Sequence, residues 1–245
     1  MFAASKSGGF VAGPNTGDPY WANVSLLTNF ENNLTFQDGS TNNFAITRAG
    51  AVNPSLRTPF SGGVGGSLYF SGSISIYLLA PDNAAFKFGS GNFTIECWYY
   101  ATSLPGETVL LGKYNEAGFG GQIQWLFFLA GGVPTFYGSN DGIFITYTVT
   151  GPSITTNTWN HLTIVRNGNS FNLYTNGVSG TTVTNTGTLY TTDANPLGIG
   201  YRFNNNFAFG PLRGFLSNAR IVKGTAVYTA NFTPPTAPLT AITNT

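Results

Sequence analysis

The groups in this 245-residue chain that could move protons or form covalent bonds are nine carboxylates, one histidine and one cysteine. Hydrolysis of a glycosidic bond needs two carboxyl groups facing each other, about 5 Å apart for retention and about 6.5–9.5 Å for inversion. Alternate positions on one strand would supply such a pair. Asp18, Glu31, Asp38, Asp82, Glu96, Glu107, Glu116, Asp141 and Asp193 never lie within three positions of one another, and Glu96 is alone on its strand. His161 opens an apolar run beside Trp159 and reads as a structural, hydrogen-bonded imidazole. Cys97 sits between Glu96 and Trp98. A nucleophilic thiol needs exposure and a neighbouring base, so Cys97 reads as a small core residue. One cysteine forms no intrachain disulfide, and one histidine with one cysteine cannot hold zinc. No G-x-S-x-G elbow, phosphate-binding loop or dinucleotide fingerprint occurs. No organic cofactor is expected. Calcium remains open: it takes six to eight oxygens, and Asp38, Asp82, Asp141 or Asp193 could each combine with loop carbonyls.

Binding chemistry is better supplied. A sugar offers an apolar C–H face and a ring of hydroxyls, so its sites combine aromatic rings with amide donors. Loops here carry that combination at Tyr114, Asn115, Phe119 and Gln122, at Tyr137, Asn140 and Asp141, and at Tyr201, Arg202, Asn204, Asn205, Asn206 and Phe207. The run YRFNNNFAFG displays asparagines between aromatics, and NEAGFGGQIQW is a second loop of this kind.

The elements that must position these groups read as strands. NFTIECWYYAT alternates strictly: Phe93, Ile95, Cys97 and Tyr99 share one face, and Thr94, Glu96, Trp98 and Tyr100 the other. Both faces are partly apolar, so the strand is expected to be central and covered on both sides. ETVLLGKY, IQWLFFLAGG, PTFYGS and GIFITYTV add further strands. HLTIVR and SFNLYTNG form a hairpin, with Asn167-Gly168 as a type I′ turn signal and the longer N-G-N-S loop as the alternative. Asn176-Gly177 marks another turn. PDNAAFKFGSG has room for one helical or 3₁₀ turn, and no longer amphipathic helix pattern occurs. About a dozen short strands give an all-β antiparallel sandwich, or jelly roll. Residues 1–19 read as an extended arm, 20–240 as one domain and 241–245 as a tail.

Composition narrows the function classes. Charged residues make up 8% of the chain, the net charge is +1, and aromatics reach 15%. An ordinary soluble domain carries roughly 25% charge. Ten Lys and Arg do not make the basic stripe that a nucleic-acid partner requires. Nothing approaches an 18-residue apolar span, so no membrane insertion is expected. The first residues lack the apolar run of a signal peptide. A surface rich in Phe, Tyr, Asn and Thr and poor in Lys and Glu suits sugars or neighbouring subunits.

Three ordered segments carry a family resemblance: SLYFSGSISIYLLAPDNAAFKFGSGNFTIECWYYAT, NTWNHLTIVRNGNSFNLYTNGVSG and FLSNARIVKGTAVYTANFTPPTAPLT. They resemble the opening, middle and closing strands of the laminin G-like branch of the concanavalin A-like lectin/glucanase superfamily. DPYWANVSLLTNFENNLTFQDGS resembles its first strand, which in such domains pairs beside the last. The resemblance implies a jelly roll over residues 65–240. It also implies calcium in many members and, in the hydrolases, a closely spaced carboxylate set that this sequence lacks. The wording at the two ends resembles domains of tailed, marine and cyanobacterial bacteriophages, which implies a virion location, other capsid or tail proteins as partners and a homo-oligomer. The expected function is a non-enzymatic virion structural protein, in capsid decoration or a tail fibre, that adheres to host-surface glycan. A purely structural subunit and a glycoside hydrolase are the alternatives.

Overall fold

The computed structural model describes residues 17–29, 36–116, 122–204 and 207–240. The expected arm and tail, apart from residues 17–19, lie outside the described residues, as do Glu31, Phe119, Asn205 and Asn206. Eighteen strands follow in chain order: β1 (Val24–Thr28), β2 (Thr47–Ala49), β3 (Asn53–Ser55), β4 (Ser67–Ser71), β5 (Tyr77–Ala80), β6 (Phe93–Ala101), β7 (Glu107–Asn115), β8 (Gln122–Ala130) and β9 (Val133–Gly138). They continue with β10 (Tyr147–Thr150), β11 (Trp159–Asn167), β12 (Ser170–Thr175), β13 (Val178–Ser179), β14 (Val183–Thr184), β15 (Leu197–Ile199), β16 (Arg202–Asn204), β17 (Phe207–Phe209) and β18 (Arg213–Lys223). Among the described residues the helical content is three short 3₁₀ turns, and no helix is long and apolar enough to cross a membrane. One of these turns, Ala84–Phe86, falls in PDNAAFKFGSG and is capped by the Asn83 side chain, which accepts from Ala85 N at 2.9 Å.

Two sheets stack into a sandwich. The first runs β13-β12-β11-β6-β18-β4-β3, and the second β10-β9-β8-β7-β15-β5-β2, with β16 beside β7 and β17 hairpinned onto β16. Period-2 alternation explains the core. Phe93, Ile95, Cys97, Tyr99 and Ala101 of β6 meet Trp125, Phe127 and Leu129 of β8 and Phe136 of β9 in one buried cluster. As expected, β6 is central, between β11 and β18. Its outer face is also covered: Tyr228 and Val227 from the C-terminal segment bond to Glu96 and Thr94.

β18 meets two partners on its other side. Arg213–Leu216 pair with β4, and Ala219–Val222 pair with β1, so the first strand does lie beside the last. Between them a bulge places Asn218 at φ 49°. The extra residue inverts the alternation: Leu216 faces the core before it, and Ala219 and Ile221 after it. The β11–β12 hairpin forms, but Asn167 pairs with Ser170, so its two-residue turn is Gly168-Asn169, one position later than the Asn-Gly signal suggested. Only Gly168 has positive φ, the type II′ requirement at the first central position. The type I′ pattern occurs instead at Asn176-Gly177, with φ of 51° and 78°, joining β12 to β13.

Candidate functional site: a polar and aromatic face on the second sheet

Strands β7, β8 and β9 carry a second apolar cluster, made by Val109, Tyr114, Ile123, Leu126 and Phe128 with Tyr137 packed against it. It is separate from the main core. Tyr114 is buried, and burial pushes its hydroxyl up to about 12. Tyr137 is half-buried, its ring 4.7 Å from that of Phe128. Asn115 and Gln122 stand opposite each other where β7 and β8 end and begin. Asn115 is buried, Gln122 is half-buried, and the Gln122 carbonyl accepts from Asn195 Nδ2 at 3.3 Å.

The β16–β17 hairpin reaches this face through Arg202. Its Nε donates to Glu107 Oε1 at 2.6 Å and its Nη1 to Glu116 Oε2 at 3.0 Å. The guanidinium lies over the rings of Tyr114 and Phe209, at 5.0 and 4.8 Å. Burial works against the charge, but Glu107 outweighs it and holds the group above its ordinary range. Asn204 is half-buried on the hairpin. Tyr201 takes another direction, buried and stacked on Tyr77 with centroids 3.9 Å apart. The Ser139–Gly142 turn closes against β8, because Ile123 N donates to the Gly142 carbonyl at 3.0 Å. Asp141 accepts there from the backbone amides of Ile143 and Phe144 at 2.8 and 3.0 Å. The amides of Phe144 and Ile143 hold its carboxyl below the usual range. Asn140 is half-buried and its Oδ1 has no partner.

Of the residues expected to bind sugar, the fold thus gathers Tyr114, Tyr137, Arg202 and Asn204 on or beside one face, while Asn115 and Gln122, one position along from Tyr114 and Ile123, alternate to the other side. Asn140 and Asp141 stand at its margin, and Tyr201 lies apart. Sequence reasoning missed Gln124. It is fully buried on β8, and both atoms of its amide lack a hydrogen-bond partner. A buried unsatisfied amide is costly unless water or a ligand completes it. Its only signal was a glutamine inside an otherwise apolar strand.

Acids distant in sequence are brought together in three pairs, each bridged by one cation. Arg220 joins Asp18 to Glu96, Arg202 joins Glu107 to Glu116, and Lys113 joins Asp82 to Asp193. A neighbouring cation favours the charged form of a carboxylate, whereas hydrolysis needs one carboxyl of a pair to hold a proton. Glu96 shows the effect: burial raises it, yet Arg220 and His161 bring it down to about 2. His161 is indeed a structural imidazole, although its partner is Glu96 and its ring neighbour is Trp98, at 5.0 Å. Cys97 is a buried core residue whose thiol is pushed up by burial.

The four aspartates considered for calcium are held by protein donors. Asp82 and Asp193 share Lys113. Asp38 accepts from Leu27 N, Ser40 N and Ser40 Oγ, and Asp141 from its own turn. Among the described residues no three His, Cys, Asp or Glu side chains gather as a metal site.

These features define an antiparallel sandwich of lectin type, in which the acid pairs brought together among the described residues are each bridged by a cation. The chain belongs to the concanavalin A-like lectin/glucanases superfamily, whose laminin G-like model matches residues 70–227. No curated protein matches it in sequence. Solved structures share its fold at low identity. The receptor-binding domain of botulinum neurotoxin D aligns at 14% identity and a TM-score of 0.61, over 85% of this chain and 51% of that one. The binding domain of Paraclostridial mosquitocidal protein 1 aligns at 16% and 0.59, over 85% and 50%. The chain therefore spans about half the length of these toxin domains. Domain 4 of an extracellular arabinanase of Geobacillus stearothermophilus, solved in complex with arabinotriose, aligns at 18% and 0.56, over 83% of this chain and 94% of that one.

Proposed function

We propose that this protein is a glycan-binding module displayed on a virion, where it attaches the particle to host-surface sugar. The observation that carries the binding half is the face built on Tyr137 and Phe128. A half-exposed ring is backed by a second ring, a buried floor lies beneath, and Asn204 stands on the hairpin whose Arg202 lies over Tyr114. Such a surface offers stacking and directional hydrogen bonds with little net charge. The arabinotriose complex of the similar arabinanase domain supports the class of ligand, and the resemblance of the two chain ends to phage domains supports the location.

A glycan array on the purified protein tests the binding half. Tyr137→Ala and Asn204→Ala should abolish the strongest hits while the fold is retained. Absence of any hit, or hits indifferent to both substitutions, sinks it. Antibody labelling of purified phage particles tests the location.

A structural subunit is the second reading, and one loop favours it. Ile143, Phe144 and Ile145 are consecutive and exposed, Phe144 at 70%. An exposed apolar run of this kind suits burial against another subunit. If Phe144→Ser dissociates an oligomer seen by light scattering and no glycan binds, assembly is the function.

A further inference from the structure

Four aromatic side chains cross the outer face of the first sheet at opposed register positions. Tyr69 on β4 faces Phe215 on β18, Phe215 faces Tyr100 on β6, and Tyr100 faces Trp159 on β11. Successive ring centroids are 5.0, 5.8 and 5.7 Å apart. Their chain neighbours Leu68, Phe70, Tyr99 and Leu216 point into the core, so alternation places these four outward, and all are half-buried. Three inter-strand steps make the row roughly 14 Å long, a length that suits an oligosaccharide better than a single sugar.

The cations at this row differ from the rest. Seven of the nine described Lys and Arg side chains bond to protein oxygens: Lys87, Lys113, Arg202 and Arg220 to carboxylates, and Arg48, Arg166 and Lys223 to carbonyls. The two left over are Arg57 and Arg213. The Arg57 guanidinium lies 4.5 Å from the Tyr100 ring centre and 5.0 Å from that of Phe215. The residue is exposed. Arg213 is two positions before Phe215 on the same face of β18, lies against Gly72, and has a buried Nε with no partner. The four strands carry one acid, Glu96, and it is buried and committed to Arg220 and His161. Two unanswered guanidinium groups thus flank a row of rings from which free carboxylates are missing.

We infer that this row is a second binding face and that its ligand is a carboxylated, uronate-bearing oligosaccharide. The rings take the C–H faces of successive sugars. Arg57, packed against the Tyr100 and Phe215 rings and exposed, offers its free N–H groups to a carboxylate as a planar fork. Arg213 supplies a second donor beside Phe215. The inference rests on the glycan-binding reading but uses the opposite sheet.

Calorimetric titration of the full chain with oligogalacturonate, with its methyl ester and with dextran sulfate tests it. Oligogalacturonate should bind, and the ester, which has the same sugars without the charge, should bind about tenfold or more weakly. Arg57→Ala should lose about tenfold while melting falls by only a few degrees, because the Arg57 side chain is exposed and its guanidinium contacts only the two rings. Trp159→Ala should also weaken binding, and Tyr137→Ala should not. Equal binding of acid and ester, indifference to Arg57→Ala, or equal binding of dextran sulfate would overturn the inference. If a neutral glycan binds through Tyr137 and oligogalacturonate does not bind, the inference falls and the module reading stands; if no glycan binds, both fall.

Discussion

His161 Nε2 lies 3.0 Å from Glu96 Oε2, and both residues are buried in the first sheet. The Glu96 carboxylate also accepts from Arg220 Nε at 2.6 Å and from the Tyr228 hydroxyl at 3.0 Å. Because Glu96 is held at about 2, below its ordinary 4.5, its contribution is fully present above the ordinary value. It is lost as pH falls from 4.5 towards 2. Melting temperature should therefore drop through that window, and Glu96→Gln should remove this part of the drop. At neutral pH the same substitution leaves Arg220 and His161 without their shared carboxylate. It should cost about 3–5 kcal/mol, or roughly 10 °C for a domain of this size. Thermal scans of both proteins from pH 2 to 8 check the two effects together.

This network also marks how far the sequence could be read. Glu96 was legible as an outward residue of a central strand, and Cys97 as its inward neighbour, because both follow from alternation. The pairing of β1 with β18 was legible through family resemblance. Arg220 as the partner of Glu96 was not. Its face depends on the bulge at Asn218, which inverts the alternation in β18, and no residue type announces a bulge. The joining of Glu107 to Glu116 through Arg202 was hidden for a related reason: it needs a hairpin from 86 residues beyond Glu116 to fold back over β7. The candidate sugar-binding residues lie in runs that read as loops in the sequence. Tyr114 and Tyr201 proved buried because each sits in or beside a strand and finds an apolar neighbour there.

The Lys113 ammonium is fully buried between Asp82 and Asp193. Burial opposes ionisation of Asp82, but Lys113 and Lys87 outweigh it and hold that carboxyl below its ordinary value. Lys113 thus stands where a bound cation would balance two acids. Calcium added to the native protein should leave its melting temperature unchanged. Lys113→Ala should lower it, with a cost of about 3–5 kcal/mol for leaving the buried Asp193 without its cation while Asp82 keeps Lys87, and calcium should then restore part of the loss. A clear calcium-dependent rise in the native protein would show that another oxygen set binds the ion.

The segment over Glu96 is pinned at one glycine. Gly177 has φ 78°, and a Cβ there would collide with the Phe232 carbonyl oxygen. Phe232 N also donates to the Gly177 carbonyl at 3.0 Å, and the Phe232 ring stacks on Tyr228 at 3.6 Å. Gly177→Ala combines left-handed backbone strain with a backbone clash, a cost of about 1–3 kcal/mol for the strain alone. It should lift Phe232 and Tyr228 away from His161 and Glu96. Hydrogen exchange should then accelerate at Val227 and Phe232, and less in β8, which lies in the other sheet. Uniform acceleration would mean that the segment is not a separate unit.

Arg202 connects stability to the proposed glycan face. Lys in its place keeps the charge but loses the fork that reaches Glu107 and Glu116 together. Glu116 is half exposed, and the Glu107 side chain is 23% exposed, so solvent screening limits the stability cost to about 1–2 kcal/mol. Positioning should suffer more than stability. The hairpin that carries Asn204 is tied to β7 by this guanidinium and by Glu116 N donating to the Phe203 carbonyl at 3.3 Å. Arg202→Lys should therefore weaken the strongest glycan-array hit about tenfold while melting falls only a few degrees. Its effect should be non-additive with that of Asn204→Ala, since both act through the same rim contact. Additive losses in the double variant would separate Arg202 from the placement of Asn204.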